Sequence, residues 1–493
     1  MSRLNSQCIL IILMVVIHLS AVFAGEAVQR PPNIILIMAD DLGYGELGCY
    51  GQTKIKTPHI DRLAQTGMRF TRAYSGNAVC APSRCVLLTG QHPGHAYVRD
   101  NRELKPEGQE PLPAQTLTLG SLLQQQGYVT GAFGKWGLGG PGSSGDPMVQ
   151  GFNRFFGYNC QRVSHSFYPP YLWSDREKFP LQNNPPIPGH GTLSESADPA
   201  KPASYAAFKG SDYAPYRIHS AAMDFIDQHK ERPFFLYYPT LIPHLALQVP
   251  DDKLETYLAL GWNDPPFIGK KGAYTPHRTP RAAYAAMISL MDAHVGAIMD
   301  RLKTHGLTDN TLIIFTSDNG ATHLLDQVDV PFFNSVDGLR GLKGELYEGG
   351  IRVPYIAAWP GKITAGSVSD RIIGFEDMLP TVAELSRAVF PPCDGISLLP
   401  TFLGQPQPER PFLYREFSGY GSQQAVWFGP WKAIRSAMRK GVITTQLYRV
   451  ADDRTESTDV ATAFPDIVKQ AEALFTQQHV PSPAFPLVGI DTP

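Results

Sequence analysis

The sequence has few charged residues and no excess of either sign. Asp, Glu, Lys and Arg make up 18% of its 493 residues, and 43 basic residues oppose 45 acidic ones, which gives a net charge of -2. A globular protein typically has about 25% charged residues. A nucleic-acid-binding protein usually carries a basic patch or stripe, so we expect no nucleic-acid partner.

Cysteine is also scarce, with six residues in the whole chain. Five of them follow residue 24, and the four other than Cys80 permit three disulfide pairings, none of which the sequence proves. No Asn is followed two residues later by Ser or Thr, because Asn310-Thr311-Leu312 and Asn334-Ser335-Val336 both fail there. A eukaryotic secreted protein of this length would usually carry such a glycosylation acceptor. The sequence therefore favours a bacterial exported protein.

Long apolar runs are absent after the first 24 residues. Arg3 comes before the apolar run of residues 8–17, and Val22-Phe23-Ala24 offers a small-residue cleavage site before Gly25. This pattern predicts a signal peptide at 1–24, with an uncleaved anchor helix as the alternative. No other segment approaches the roughly 20 apolar residues of a membrane span. We expect export to the periplasm or the outside of the cell, without a membrane partner after cleavage.

Glycine and proline, by contrast, are abundant, with 45 and 43 residues. Average usage is about 7% and 5%, so long, ordered, turn-rich loops are expected. Residues 152–208, rich in Pro, Ser, Tyr and Asn, are predicted to be surface loops over a site. The length predicts one large α/β domain at 25–405 and a small C-terminal α+β subdomain at 406–493, with the proline-containing stretches 390–392 and 405–411 at the boundary.

Three apolar segments carry the pattern of buried parallel strands. Residues 33–38 are continuously apolar and lead to Asp40-Asp41, and residues 311–316 lead to Ser317-Asp318-Asn319-Gly320. Residues 234–238 lead to Pro243-His244. Because sites in open α/β sheets form beyond the carboxyl ends of strands, the two acidic pairs are predicted to converge on one cation. Their all-oxygen ligand set suits Ca²⁺ or Mg²⁺ rather than zinc.

Other elements are predicted from periodicity. Apolar residues between Tyr284 and Leu302 recur at helical spacing, and Gly306 closes this helix. Residues 427–435 and 445–450 are predicted to be short antiparallel strands, and residues 465–477 an amphipathic helix.

The residues Cys80-Ala81-Pro82-Ser83-Arg84 place one cysteine in a fixed Cys-x-Pro-x-Arg frame. This frame resembles the sulfatase family. Similar pieces occur along nearly the whole chain in the family's order, namely Asp40-Asp41-Leu42-Gly43-Tyr44-Gly45, Thr57-Pro58-His59-Ile60-Asp61-Arg62-Leu63-Ala64, Gly134-Lys135-Trp136, Pro243-His244, Ser317-Asp318-Asn319-Gly320 and Leu342-Lys343-Gly344-Glu345-Leu346-Tyr347-Glu348-Gly349-Gly350-Ile351-Arg352-Val353-Pro354.

The resemblance implies a fold, a reaction and a cofactor. The expected fold is an alkaline-phosphatase-like α/β domain with a central, mostly parallel sheet between helices, followed by a small α+β domain with an antiparallel sheet. The expected reaction is hydrolysis of a sulfate monoester, on a carbohydrate or on a small aryl sulfate. A formylglycine-generating enzyme is expected to oxidise Cys80 to formylglycine, an aldehyde whose hydrate can attack sulfur with one hydroxyl and expel the sulfate with the other.

The resemblance also assigns residues to roles. Asp40, Asp41, Asp318 and Asn319 are expected to bind the cation, together with the modified Cys80, and calcium is the first choice. Cationic positions of the family are matched by Arg84, Lys135 and Lys343. His244 matches a histidine that contacts the sulfate and can protonate the leaving oxygen, so Lys135, His244 and Lys343 are the expected substrate ligands.

One departure from the family concerns Gly137. Many relatives have Gly-Lys-Trp-His where this chain has Gly134-Lys135-Trp136-Gly137, so the histidine expected to contact the formylglycine hydroxyl is missing. His323 could replace it, or could have a surface role. Further candidates for contacting a sugar, each with a structural role as the alternative, are His92, His95, Arg99, Asn101, His165 and Tyr168.

Two other functions remain open. A formylglycine-dependent phosphonate monoester or phosphodiester hydrolase would use the same motif and metal. A secreted glycan-binding protein could keep the fold without the activity, but the presence of Cys80, Arg84, Lys135, His244 and Lys343 argues against it.

Overall fold

The first predicted strand lies at the centre of a ten-stranded sheet. The computed structural model describes residues 30–441 and 443–492, so the predicted signal peptide lies outside the described residues. The segment Asn33–Ala39 is completely buried. It pairs in parallel with Thr311–Ser317 on one side and with Phe234–Pro239 on the other. All three strands predicted from continuous apolar runs are therefore present and adjacent.

The strands of the described chain form one large sheet and three small ones. In chain order they are β1 Asn33–Ala39, β2 Met68–Phe70, β3 Ala73–Tyr74, β4 Val129–Lys135, β5 Arg154–Tyr158, β6 Tyr171–Ser174, β7 Glu177–Pro180, β8 His190–Thr192, β9 Phe234–Pro239, β10 Gly269–Tyr274, β11 Thr311–Ser317, β12 Tyr355–Ala358, β13 Ser367–Ser369, β14 Ile373–Gly374, β15 Leu413–Phe417, β16 Gln423–Phe428, β17 Trp431–Arg435 and β18 Gln446–Tyr448.

The α-helices range from one turn to seven turns. In chain order they are α1 Pro58–Thr66, α2 Cys80–Thr89, α3 Leu119–Gln125, α4 Ala214–His229, α5 Asp251–Leu258, α6 Pro280–Thr304, α7 Val330–Phe333, α8 Glu348–Ile351, α9 Met378–Ser386, α10 Leu399–Phe402 and α11 Pro465–Gln478.

The large sheet has a parallel centre and antiparallel edges. Its order is β13-β2-β12-β11-β1-β9-β4-β5-β6-β7, and the run from β11 to β5 is parallel throughout. Alternate side chains of β1 enter two separate cores, with Ile35 and Ile37 on one face and Ile34 and Leu36 on the other. Burial on both faces is the reason that the strand is apolar from Ile34 to Ala39. The predicted mostly parallel α/β fold is confirmed.

Helix α6 supplies much of one core. Met287, Ile288 and Met291 are fully buried in it, and the helix ends just before Gly306, whose φ is +66°. By length and composition this helix is apolar enough to cross a membrane, so the expectation that no such segment follows the signal peptide was wrong. Within the protein, 78% of its most apolar window is buried.

The expectation of surface loops at residues 152–208 was only partly correct. The segment contributes β5, β6 and β7 to the edge of the large sheet, and β8 pairs with β10. These strands are only three to five residues long, and β7 is fully exposed. A period of two over such short lengths gives no clear sequence signal.

The C-terminal region contains the predicted antiparallel sheet, in the order β15-β16-β17-β18. Helix α11, also predicted, packs Ala471 and Phe475 against one face of this sheet. Trp427 on the other face packs in one cluster with Tyr74 and Ile351 of the large domain. The boundary between residues 405 and 406 stays a prediction, since residues 33–493 form one compact unit.

Candidate active site

Two neighbouring strand ends bring four polar side chains together. Ser317 lies beside Ala39 in the parallel register of β1 and β11, so Asp40 and Asp41 lie next to Asp318 and Asn319. The Asp41 backbone N–H donates to Asp318 Oδ1 at 3.1 Å. Asp41 has a φ of +67°, which Asp tolerates better than most residues. All four side chains are buried, as the prediction of a shared site requires.

Cys80 is the first residue of helix α2 and lies against Asp40. Its Sγ is 3.4 Å from Asp40 Oδ1. Burial, followed by the charge of Asp40, raises the pKa of the Cys80 thiol to about 12. The unmodified thiol is therefore protonated at neutral pH and is a poor nucleophile. At the start of the same helix, the Ala81 N–H donates to Asn101 Oδ1 at 3.0 Å, so Asn101 has a structural contact here.

Two lysines approach Cys80 from different parts of the chain. Lys135, at the end of β4, places Nζ 2.6 Å from Asp40 Oδ2 and 3.4 Å from Cys80 Sγ. Lys343 places Nζ 2.7 Å from Asp41 Oδ2 and 3.6 Å from the same Sγ. Burial opposes the charge of each lysine, but the adjacent carboxylates outweigh it and raise both pKa values. Both side chains are therefore cations at neutral pH.

Arg84 lies one turn further along helix α2 and is completely buried. Its Nη2 is 2.7 Å from Asp318 Oδ2 and 3.5 Å from Asp40 Oδ2, and its Nη1 donates to the Lys135 carbonyl. The guanidinium therefore joins the two strand ends to the lysine segment. In this position it fixes the carboxylates and adds positive charge beneath the site.

His244 faces the cluster from the segment after β9. Its Nδ1 is 2.5 Å from the Leu245 carbonyl oxygen, so Nδ1 carries the donating proton and Nε2 lies 3.6 Å from Asp41 Oδ2. Burial lowers the pKa of His244 to about 4, with Asp41 acting against burial and the two lysines adding to it. His244 is therefore neutral at pH 7.

His244 packs against the first of three aromatic side chains that contact one another. His165 stacks on it with ring centroids 5.2 Å apart and an interplanar angle of 16°. His165 Nδ1 is 2.8 Å from His190 Nε2, and Tyr274 Oη is 3.4 Å from His165 Nε2. His165 is a candidate from the sequence, whereas His190 and Tyr274 are not. They come from β8 and β10, whose pairing across about 80 residues leaves no signal in the sequence.

The donor set fits a hard divalent cation. Asp40, Asp41 and Asp318 offer carboxylate oxygens, and Asn319 Oδ1 is buried without a hydrogen-bond partner in the described chain. Ligand atoms of Asp40, Asp41, Cys80 and His244 lie within 4.8 Å of one another. Burial and Asp40 raise the pKa of Asp318 to about 6 although Arg84 opposes them, so an added cation would stabilise its charged form.

The other sequence candidates have different surroundings. Arg99 donates four hydrogen bonds, to Glu416 and to the backbone carbonyls of Gly94, Ala96 and Val480. His92 lies between the Gly94 N–H and Gln478, and His95 pairs with Asp394 at 2.9 Å. Tyr168 is buried against Tyr213. The structure gives these four residues structural contacts.

Gly137, where many relatives have a histidine, and His323, its possible replacement, have different neighbours in the structure. Gly137 has a φ of +80°, and a Cβ there would lie 2.5 Å from Gln161 Nε2, an atom without a hydrogen-bond partner in the described structure. The Gln161 amide therefore occupies the space next to Gly137. His323 packs edge-on against Tyr420 with centroids 5.5 Å apart. Neither Gln161 nor Tyr420 is among the candidates from the sequence.

The five cysteines in the described part of the chain are all unpaired. The pairings that the sequence left open, among the cysteines other than Cys80, do not occur there. Cys49 and Cys393 are only partly buried, whereas Cys85 and Cys160 are buried.

A buried oxygen-rich cluster at the carboxyl edge of a mostly parallel sheet, with two lysines against a helix-terminal cysteine, has the charge and ligand atoms that an enzyme site for an anionic ester requires. The family model described as Sulfatase matches residues 32–388, so the chain belongs to the sulfatase family and is a sulfuric ester hydrolase.

The chain resembles sulfatases from animals and bacteria along most of its length. It is 37% identical to human arylsulfatase A over 80% of this chain and 72% of that protein. It is 30% identical to an N-acetylgalactosamine-6-O-sulfatase of Bacteroides thetaiotaomicron over 90% of this chain and 93% of the relative. The crystal structure of Ps i-CgsB in complex with k-i-k-neocarrahexaose matches with a TM-score of 0.74 at 26% identity, covering 91% and 93% of the two chains.

Proposed function

We propose that this sulfatase is exported and removes sulfate from a sulfated carbohydrate. The observation that carries the proposal is the approach of Lys135 and Lys343 to within 3.6 Å of Cys80 Sγ, beside an oxygen-rich cluster. The carbohydrate substrate is supported by the bacterial relative that matches 90% of the chain and by the structural neighbour bound to an oligosaccharide. The signal pattern at residues 1–24 supports export, to the periplasm or outside a bacterial cell.

The cluster supports a site for calcium, with magnesium as the alternative. Asp40, Asp41, Asp318 and Asn319 would hold the ion together with the side chain at position 80. A bound divalent cation supplies fixed positive charge for an anionic ester. Formylglycine made from Cys80 supplies a hydrated aldehyde as the nucleophile, and a formylglycine-generating enzyme would be the partner in maturation. Burial and the charge of Asp40 raise the pKa of the Cys80 thiol to about 12, so without this conversion position 80 would be a poor nucleophile at neutral pH.

The two lysines carry the electrostatic part of the mechanism. Cleavage of a sulfate monoester needs positive charge near the non-bridging oxygens of the transition state. Lys135 and Lys343 provide this charge beside residue 80, and their pairing with Asp40 and Asp41 positions them before substrate binds. Arg84 holds Asp40 and Asp318 in place.

His244 is the proposed proton donor to the leaving oxygen. Its Nδ1 is held by the Leu245 carbonyl, so only Nε2 is free to exchange a proton within the site. A sugar alcohol is a poor leaving group and needs this proton. The negative charge of a bound sulfate ester would favour the protonated form of His244, which burial disfavours in the free enzyme.

The test uses protein produced together with a formylglycine-generating enzyme. It is assayed on 4-nitrophenyl sulfate, phenylphosphonate and phosphodiester analogues, and sulfated galactose and N-acetylgalactosamine. We expect hydrolysis of a sulfated sugar, a higher kcat/KM on the aryl sulfate than on the phosphorus esters, and loss of activity and bound calcium together in Asp318→Ala. The opposite ranking would indicate a phosphonate or phosphodiester hydrolase, and no turnover of any ester would indicate a glycan-binding protein.

A further inference from the structure

The aromatic ring of Tyr420, from the C-terminal subdomain, lies next to the segment that contains Lys343. Tyr420, in the loop between β15 and β16, is 59% exposed. The adjacent segment contains Lys343 and Gly344, and a Cβ at Gly344 would lie 3.0 Å from the ring carbons of Tyr420. Gly344 has a φ of +92° and no side chain, so the tyrosine ring packs directly on its backbone. The preceding residue in the chain is Lys343.

Neighbouring rings and backbone bonds fix the orientation of Tyr420. Phe417 stacks on it with centroids 5.8 Å apart and an interplanar angle of 30°, and His323 meets it edge-on at 78°. The loop is closed by the Ser422 N–H, which donates to the Gly419 carbonyl at 3.0 Å. Phe417 and His323 therefore hold the ring in place, while much of the residue is open to solvent.

The backbone of this loop is also unusual. Tyr420 and Ser422 have φ values of +48° and +61°, with Gly421 at +96° between them. A left-handed conformation is uncommon for a residue other than glycine, Asn or Asp, and such residues concentrate at functional sites. The loop is tied to the site, because Gln423 donates to the Gly344 carbonyl at 2.7 Å and the Gly344 N–H donates to the Ala78 carbonyl at 2.9 Å.

We propose that Tyr420 is a specificity-determining residue that binds the sugar ring of the sulfated substrate, with His323 beside it. This inference rests on the proposed function. A pyranose has an apolar C–H face that packs on an exposed aromatic ring, while the hydroxyl of a tyrosine can bond a sugar hydroxyl. A sugar whose sulfate binds beside Lys343 has the Tyr420 ring within reach, because that ring packs on Gly344, the next residue in the chain.

The experiment measures the effect of Tyr420 on sugar binding separately from its effect on sulfate binding. Tyr420→Asn removes the ring at a position where Asn accepts the left-handed backbone, and Tyr420→Phe keeps the ring. The wild type is first assayed on 4- and 6-sulfated galactose and N-acetylgalactosamine. For the best of these sugars, Tyr420→Asn should raise KM about tenfold, the size expected for loss of one ring contact, while Tyr420→Phe stays within about threefold. Inhibition by inorganic sulfate should be unchanged in both variants.

Direct binding provides a second readout. In a Cys80→Ala background, calorimetry should show the same loss of affinity for the sulfated sugar in Tyr420→Asn and no change for inorganic sulfate. Tyr216→Asn, which changes another partly exposed tyrosine on helix α4, serves as the control and should change neither. Equal weakening of sugar and sulfate, or no weakening, would overturn the proposal for Tyr420 while leaving the sulfatase function intact. A wild type inactive on every ester would overturn both.

Discussion

Gly137 shows how a single residue changes the surroundings of Lys135. The backbone there is left-handed, and the Gln161 amide lies where a side chain at position 137 would begin. Gln161 is 6% exposed and its Nε2 has no hydrogen-bond partner in the described structure. A histidine at this position would therefore need a disfavoured backbone conformation and the removal of Gln161. Both requirements explain why the chain has glycine after Lys135-Trp136.

This arrangement predicts that Gly137→Ala destabilises the protein more than Gly127→Ala. Both glycines have a φ of +80°, but a Cβ at Gly127 meets nothing within 4 Å. The backbone cost, about 1–2 kcal/mol, should be common to both variants. The difference between their free energies of unfolding, measured in urea, isolates the contact with Gln161. Adding Gln161→Ala should remove that difference, and a difference that persists in the double variant would contradict the explanation.

His244 predicts a dependence on the leaving group. If it donates a proton to the leaving oxygen, His244→Ala should lower kcat about 10²-fold or more for a sulfated sugar. The loss should be smaller for 4-nitrophenyl sulfate, because nitrophenolate leaves readily as an anion. His229→Ala, a partly exposed histidine near the end of helix α4, provides the control. Equal losses on both substrates would mean that His244 only binds the sulfate, and Lys343 would then be the next candidate for the acid.

At the scale of elements, the sequence predicts best where a strand is buried on both faces. Strands β1, β9 and β11 each contain a run of buried apolar residues, and acidic residues follow β1 and β11, so both the strands and the meeting of Asp40 with Asp318 follow from the sequence. Strands β6, β7 and β8 are too short for a visible period. His190, Tyr274 and Tyr420 reach the site only through the pairing of β8 with β10 and the docking of the C-terminal sheet, which no local pattern encodes.

A buried charge network joins the C-terminal sheet to the large domain. Lys432 of β17 places Nζ 3.2 Å from Glu348 Oε1 and 2.6 Å from Glu456 Oε1, and all three side chains are fully buried. The Glu348 N–H also donates to Glu456 Oε2 at 2.7 Å. Arg352 Nη1 also lies 3.3 Å from Glu348 Oε2, but Lys432 pairs with both carboxylates and joins Glu348 to Glu456, so the docking of the sheet depends on this lysine.

Lys432→Met should therefore destabilise the protein by about 3–5 kcal/mol, the cost of removing one partner from a buried ionic network. The thermal midpoint should fall by several degrees relative to wild type, as measured by calorimetry. Lys440→Met changes an exposed lysine in the same subdomain and should have little effect. A loss for Lys432→Met no larger than that for Lys440→Met would show that the network does not hold the sheet in place.

At the scale of the whole molecule, buried carboxyl groups make stability depend on pH. Glu46 is completely buried and accepts hydrogen bonds at 2.7 Å from the Gly43 N–H and from the Tyr284 hydroxyl. Burial outweighs these bonds and raises the pKa of Glu46 from 4.5 to about 7. Burial likewise raises the pKa of Glu456 to about 7 against the charge of Lys432.

The sign of the effect follows from proton binding. Between pH 4.5 and 7 the folded protein keeps a proton on Glu46 that the unfolded chain has released. The contribution of this residue to stability therefore falls as the pH rises through that window and stays low above it.

Glu46→Gln keeps both hydrogen bonds, because the tyrosine hydroxyl can also accept from an amide N–H. The variant should be more stable than wild type at pH 8, by about 1 kcal/mol or more, and equal to it at pH 4. Urea unfolding at pH 4, 6 and 8 measures the difference, with the exposed Glu384→Gln as control, and a difference independent of pH would contradict the buried acid.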